Sequence, residues 1–230
     1  MSQSLKSFDE KLMEDDHFKV HSEMLPYIGS KFNEQKILVI SESHFVPIND
    51  NIPSDNEWYK PKDIKILLKS IEYNTFTREI IEKFFSEKKS HRIFLNINNA
   101  LKGSKLILGI DNIAWYNFFQ KPAFNKDSIS PTRIDCEIAE RIFEKVIGTL
   151  QPNLIIFTSV KSFNFILPNL KWIDKKQAHY YKSFSCKIEF VAHPNSIWWN
   201  RKSLKYSIKD TNQSRTGRQK FIDVVNGSAN

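Results

Sequence analysis

The sequence predicts an α/β protein in three layers, with helices on both faces of a central four-stranded, mostly parallel sheet. Two observations favour this class. Four short apolar segments, at residues 37–40, 113–119, 154–157 and 187–192, are rich in β-branched and aromatic side chains, as is typical of strands buried on both faces. Segments with helical spacing of apolar residues separate these strands, and such alternation is typical of parallel sheets.

Composition indicates a single folded domain over residues 1–230, with an N-terminal helix and lead-in at 1–35 and a basic, aromatic segment with a helix at 197–230. The 230 residues are 40% hydrophobic and 13% aromatic, which is enough for a sizeable core. Cys136 and Cys186 form no C-x-x-C pair. We therefore expect no iron–sulfur cluster and a reducing, cytoplasmic environment. We also expect no secretory signal, because residues 1–16 are polar, and no membrane span.

Charge gives only a weak indication of a partner. The formal net charge of +8 favours contact with phosphate backbones, yet the 34 basic residues are spread along the chain. Such a balance is equally typical of a lysine-rich surface.

Helices are predicted from apolar periodicity and from capping residues. The expected helical segments are residues 5–20, 63–89 with Asp63 and Thr77 as N-caps, 92–101 ending at Gly103, 130–150, 161–167 and 217–225. For the long helix at 130–150, Ser130 is expected as the N-cap and Pro131 as the first helical residue. Residues 24–29 form a turn-rich lead-in to the first strand. Residues 48–63 carry several Pro, Asn and Asp residues and predict a loop, in which Trp58 and Tyr59 could cover a pocket.

Three of the four predicted strands are followed by residues able to do polar chemistry. Glu42 and His44 come after the first strand, Asn117 lies at the end of the second, and His193 follows the fourth. Carboxyl ends of parallel strands meet at one edge of a sheet, where α/β proteins bind their ligands. The sequence therefore predicts a functional site at this edge.

These segments resemble the uracil-DNA glycosylase superfamily. The first motif, Ser41-Glu42-Ser43-His44-Phe45, is similar to that of an uncharacterised branch in which it reads roughly G-E-S-H-Y. Similar features follow in the expected order: Pro26-Tyr27-Ile28-Gly29 before the first strand, Asn117 on the second, the turn and strand at 150–156, and His193-Pro194-Asn195-Ser196, which resembles an H-P-S motif. The chain departs from the pattern at Ser41, where Gly is usual, at His44, where Pro is usual, and at the extra Asn195. The four cluster-binding cysteines of some branches are missing.

The resemblance implies hydrolysis of the N-glycosidic bond of a deaminated or damaged base in DNA, a repair activity that needs no cofactor and no metal. Glu42 would orient or deprotonate the attacking water or stabilise positive charge on the sugar. His193 would donate a hydrogen bond to the departing base. The base-binding residues would be Ser43, His44, Phe45, Asn117, Asn195 and Ser196. Trp198, Trp199, Arg201 and Lys202 would contact single- or double-stranded DNA by stacking and charge.

Other functions remain open on the sequence. The altered first motif fits a non-catalytic protein that binds a nucleic acid or nucleotide in the same cleft. Glu42, His44, His193 and His179 are candidate ligands of a divalent metal in a hydrolase, although no H-x-H or H-E-x-x-H spacing is present. Ser43 with His193 could form a Ser–His esterase pair, although a G-x-S-x-G motif is missing.

Overall fold

A computed structural model of the chain describes residues 5–46, 58–59, 76–86, 91–124, 128–172, 179–207 and 213–227. In chain order the strands are β1 (Tyr27–Ile28), β2 (Ile37–Ser41), β3 (Phe45–Val46), β4 (Ile113–Asn117), β5 (Ala123–Phe124), β6 (Leu154–Phe157), β7 (Leu170–Trp172), β8 (His179–Tyr181), β9 (Phe184–Ser185) and β10 (Lys187–Phe190). The α-helices are α1 (Asp9–Leu12), α2 (Asp16–Val20), α3 (Phe32–Gln35), α4 (Thr77–Ser86), α5 (Arg92–Lys102), α6 (Arg133–Leu150), α7 (Val160–Ile166) and α8 (Gly217–Asn226).

The central sheet has the strand order β1-β4-β2-β6-β10. Strands β4, β2, β6 and β10 are parallel to one another, as predicted, and Ser41 at the end of β2 pairs with Asn117 at the end of β4. The prediction of four strands was incomplete, because Tyr27–Ile28 adds a short antiparallel strand next to β4. The α/β class and the mostly parallel sheet are confirmed.

Helices cover both faces of this sheet. Successive residues of a strand point to opposite faces, so Leu38 and Ile40 belong to one buried cluster while Ile37 and Val39 belong to the other. The first cluster includes Ile142 and Phe143 of α6 with side chains of α1 and α2. The second includes residues of α5 and α8, such as Ile97 and Phe221. The continuous apolar runs of the strands follow from this burial on two sides.

Two smaller sheets flank the central one. Strands β3 and β5 form a short parallel pair beyond the carboxyl ends of β2 and β4, and this pair fixes the backbone of the turn that follows β2. Strands β7, β8 and β9 form an antiparallel sheet that the apolar patterns did not predict.

Several boundaries differ from the sequence prediction. The single helix predicted at residues 5–20 is a 3-10 turn followed by α1 and α2, because Asp15 accepts a hydrogen bond from the His17 N–H at 2.9 Å and so starts a new helix. The long helix begins at Arg133 with Thr132, rather than Ser130, as its N-cap. Helix α5 ends at Gly103 as predicted. Thr77 is the first residue of α4.

Part of the predicted loop and helix at residues 48–75 lies outside the described residues, and so does the proposed N-cap Asp63. Trp58 is described and is fully buried, with its indole N–H donating to the Gln120 carbonyl at 3.1 Å. Its ring therefore packs in the core instead of covering a pocket. In the part of the chain that the structure describes, helices long and apolar enough to cross a membrane are absent.

Candidate active-site cleft

A cleft of about 1580 Å³ opens at the carboxyl ends of the parallel strands. Each of the four strands contributes a residue at or just beyond its end: Glu42 after β2, Asn117 on β4, Ser159 after β6 and His193 after β10. The sheet topology thus brings together the three polar positions that the sequence singled out. It adds Ser159, which the same reasoning about strand ends could have found.

The Glu42 carboxylate is held by donors from two other segments. Its Oε1 atom accepts from the Ser128 hydroxyl and, at 3.1 Å, from the Ile129 N–H, and Lys161 Nζ lies 3.7 Å away. Its Oε2 atom accepts from the Ser159 hydroxyl at 3.0 Å. The Glu42 side chain is 22% exposed. Because Oε1 carries most of these contacts, Oε2 is the oxygen with capacity for a further donor in the cleft.

Lys161 and Ser128 form an anchor that the sequence did not reveal. The Lys161 ammonium donates to the Ser128 hydroxyl at 2.6 Å and to the Ile129 carbonyl. Ser128 therefore accepts from a cation and donates to a carboxylate. Neither residue lies directly at a strand end or belongs to a recognisable motif, so only the tertiary structure shows the contact.

Asn117 is buried at the base of the cleft with His44 and Thr77. Its Nδ2 atom donates to Thr77 Oγ1 at 2.8 Å and lies 3.1 Å from His44 Nε2. The His44 ring also packs edge-on against Phe76, with a centroid distance of 5.3 Å. His44 is thus a buried neighbour of the amide.

His193 is oriented by its own loop. The Asn195 N–H donates to His193 Nδ1 at 3.2 Å, so the neutral ring carries its proton on Nε2. Burial lowers the pKa of His193, and the Glu42 carboxylate partly opposes this shift. The ring is therefore neutral at pH 7 and can donate through Nε2. The side chain of Asn96 in α5 donates to the Pro194 carbonyl at 2.8 Å and ties the loop to the scaffold.

The remaining predicted base-binding residues also line the cleft. They are Ser43, Phe45, Asn195 and Ser196. Phe45 is 52% exposed, so its ring is available for stacking. Among the described residues, Ser196 Oγ is a buried side-chain atom without a hydrogen-bond partner.

The predicted nucleic-acid contacts occupy three kinds of position. Trp198 lines the cleft and is 45% exposed. Trp199 is 1% exposed and packs near Phe221 of α8, with a ring-centroid distance of 5.9 Å. Its ring is therefore part of the core and is not a surface for stacking. Arg201 and Lys202 are exposed but do not line the cleft.

Positive charge in the cleft comes from lysines that the sequence prediction did not name. The described lining contains Lys83, Lys161 and Lys205, against one carboxylate, Glu42. Such a lining attracts an anionic ligand, and the attraction weakens as salt is added.

The structure offers no support for the two other hydrolase mechanisms. Over the described residues, three or more His, Cys, Asp or Glu side chains do not come together as metal ligands would; the side chain of His179 lies outside that part. His193 Nδ1 is engaged by the Asn195 N–H, and no hydrogen bond joins the ring to Ser43 in the described structure.

Comparison with known proteins returned no match, either to a protein-family model or to a curated protein sequence. The geometry of the cleft is therefore the basis for assigning a function.

Proposed function

We propose that the cleft binds a nucleobase extruded from DNA and that the protein hydrolyses the N-glycosidic bond of this nucleotide, as a uracil-DNA glycosylase-like enzyme. The observation that carries the proposal is the meeting of Glu42, Asn117 and His193 in one cleft at the carboxyl ends of parallel strands. An extruded base needs a polar group for its edge, an aromatic face and a donor for the leaving group. Asn117, Phe45 and His193 have these properties.

The reaction assigns one role to each side chain. Water held by Glu42 Oε2 adds to C1′ of the sugar while the bond between C1′ and the base nitrogen breaks. The base leaves with the bonding electron pair, and the proton of the water passes to Glu42. The Nε2–H of His193 donates to the base oxygen on which negative charge develops, a contribution of about 3 kcal/mol for a well-placed donor.

The charge of the lining supports a nucleic-acid substrate. Lys83 and Lys205 add positive charge to the cleft, and Lys205 Nζ also lies 5.3 Å from the centre of the Phe190 ring. Phosphates flanking an extruded nucleotide would be attracted to this lining. Trp198, exposed at the cleft, offers a ring on which a neighbouring base can stack.

One experiment tests the proposal directly. The protein is incubated with single- and double-stranded oligonucleotides that contain one uracil, hypoxanthine or xanthine, and abasic sites are then cleaved with alkali. We expect strand breaks at one of these bases, and a decrease in rate of about a hundredfold or more for Glu42→Gln, because a positioned general base contributes about 10²–10⁴. Glu137→Gln, in an exposed carboxylate on α6, is the matched control. Equal rates for wild type and Glu42→Gln would show that Glu42 is not the catalytic group.

A second function is favoured by the contacts of Glu42 itself. Both carboxylate oxygens already accept hydrogen bonds from the protein, an arrangement that also suits a structural carboxylate in a non-catalytic protein that binds nucleic acid or a nucleotide. Binding without abasic product, lost progressively as salt is added, would support this alternative over hydrolysis.

A further inference from the structure

The amide nitrogen of Asn117 contacts two neighbours that come from different parts of the chain. The Nδ2 atom has two hydrogens. Nδ2 donates to Thr77 Oγ1 at 2.8 Å, and it lies 3.1 Å from His44 Nε2 and 3.4 Å from His44 Nδ1. The neutral ring has one unprotonated nitrogen, which accepts the second hydrogen. Thr77 is 4% exposed and His44 6% exposed, so water does not readily replace either contact.

The other end of the amide faces the cleft. Asn117 Oδ1 accepts no hydrogen bond from the described residues. Among these residues, Ser196 Oγ is the one side-chain atom that is both buried and without a hydrogen-bond partner, so Oδ1 is not fully buried. Oδ1 is therefore reached by solvent in the cleft that Asn117 lines. With both hydrogens of Nδ2 engaged, the amide offers a ligand an acceptor and no donor.

We infer that Thr77, together with His44, is a positioning residue that fixes Asn117 with Oδ1 toward the ligand, and that Thr77 thereby determines which base edge the site accepts. This inference rests on the proposed binding of a nucleobase. A base whose ring nitrogen carries a hydrogen donates to Oδ1. A base of the same size with a bare ring nitrogen places a lone pair against a lone pair and leaves a buried acceptor unsatisfied.

Thr77 belongs to no motif. Its contact with Nδ2 explains how a side-chain amide, whose two ends can exchange by rotation, can select between bases. It is the first residue of α4, and it is buried where this helix approaches the end of β4. Removing its hydroxyl leaves the amide with one fixed contact, so the two ends of Asn117 can exchange. The substitution should therefore reduce selectivity more than it reduces affinity.

The test measures binding under conditions in which cleavage does not interfere. Fluorescence anisotropy is recorded with labelled single-stranded oligonucleotides in which the target nucleoside carries a 2′-fluorine, which slows cleavage by disfavouring positive charge on the sugar. The bases are compared in pairs that differ in the hydrogen on the ring nitrogen: uracil with cytosine, and hypoxanthine with adenine. Wild type should prefer uracil and hypoxanthine by about tenfold, the value of one good hydrogen bond.

Three variants distinguish positioning from a general loss of structure. Thr77→Val, which keeps the shape of the side chain, should reduce both preferences to about twofold or less, and Thr77→Ser should restore them because the hydroxyl is kept. Thr149→Val is the control, since Thr149 is another buried threonine but lies in α6 and does not line the cleft. It should keep the wild-type preference.

The outcomes that overturn the inference are distinct from failure of the proposed reaction. Equal binding of the paired bases by wild type, a reversed preference, or an unchanged preference in Thr77→Val would each contradict it. A preference that behaves as expected, combined with no abasic product from unmodified oligonucleotides, would refute hydrolysis and leave the inference standing.

Discussion

Single hydrogen bonds between residues far apart in the chain set the geometry of the cleft. Ser128 donates to Glu42 Oε1 and accepts from Lys161 Nζ at 2.6 Å, so one hydroxyl connects a carboxylate to a cation that is 3.7 Å away. Hydrogen bonds to charged groups are stronger than those between neutral groups. The serine therefore holds Oε1 and leaves Oε2 oriented for the cleft.

Replacement of Ser128 by alanine tests this anchor. We expect Ser128→Ala to lower the single-turnover rate of abasic-site formation by about tenfold to a hundredfold, because a hydrogen bond to a charged group contributes about 1.5–3 kcal/mol. Affinity for the oligonucleotide should change by less than about twofold, since a hydrogen bond outside the binding surface contributes little to it and Ser128 does not line the cleft. Ser130→Ala, at an exposed neighbour, is the control. An unchanged rate in Ser128→Ala would show that Glu42 needs no such support.

Among the secondary-structure elements, the buried strands were the easiest to predict. The segment 154–157 coincides with β6, and 37–40 lies within β2, because runs of β-branched residues buried on both faces have few alternatives. Helix starts were harder, since several residues near α6 are suitable caps. Thr132 is the N-cap because Asp135, three residues later, accepts from its N–H at 2.8 Å while Thr132 Oγ1 accepts from the Asp135 N–H at 3.3 Å.

The site was predictable to the extent that it depends on strand ends. Glu42, Asn117 and His193 were found because carboxyl ends of parallel strands converge on one edge. Thr77 and Lys161, both on helices, were not found, because their approach to the cleft depends on how α4 and α7 pack against the sheet. Trp199 lies in a segment whose aromatic and basic composition is typical of a surface contact, but its ring is buried beside Phe221 of α8. Patterns along the chain contain no information about that packing.

The cap of α6 allows a stability prediction at the level of one element. Thr132→Ala removes the side chain that accepts the Asp135 N–H. We expect the free energy of unfolding to fall by about 1 kcal/mol, the usual value of an N-cap, in urea denaturation at pH 7. Thr132→Ser should retain most of the stability, and Ser130→Ala, at the N-cap position suggested by the sequence, should have little effect. A larger loss in Ser130→Ala than in Thr132→Ala would contradict the assignment of the cap.

For the molecule as a whole, the N-terminal segment is joined to the rest of the fold by ion pairs and by a buried polar network. Arg78 of α4 forms a bidentate ion pair with Asp9. In α6, Arg141 forms an ion pair with Asp15, and Lys145 forms one with Glu14. In the interior, His17 Nε2 lies 3.1 Å from Gln120 Oε1, and Gln120 Nε2 donates to the Asn117 carbonyl at 2.6 Å. The helix α2 is thus connected through Gln120 to the backbone of Asn117 at the cleft.

This network predicts how stability depends on pH. Burial, together with the neighbouring His21, whose ring centroid lies 4.8 Å away, lowers the pKa of His17 from 6.5 to about 3. Between these values the unfolded chain binds a proton at His17 that the folded chain does not, so protonation favours unfolding. The stabilisation is complete above pH 6.5 and is lost progressively as the pH falls toward 3. The slope is about 1.4 kcal/mol per pH unit, and the total is at most about 5 kcal/mol.

His17→Gln isolates this contribution, because the glutamine amide can still donate to Gln120 but does not titrate. The free energy of unfolding, measured with urea from pH 7 to pH 4, should fall more steeply for wild type than for the variant, and the two curves should converge as the pH decreases. Carboxylates affect both proteins equally, so the difference between the curves reports His17 alone. His91→Gln serves as the comparison. Burial of part of the His91 ring lowers its pKa as well, but the residue as a whole is exposed. The difference in slope between wild type and His91→Gln should therefore be smaller than that for His17→Gln. Parallel curves for wild type and His17→Gln would show that His17 does not remain neutral in the folded protein.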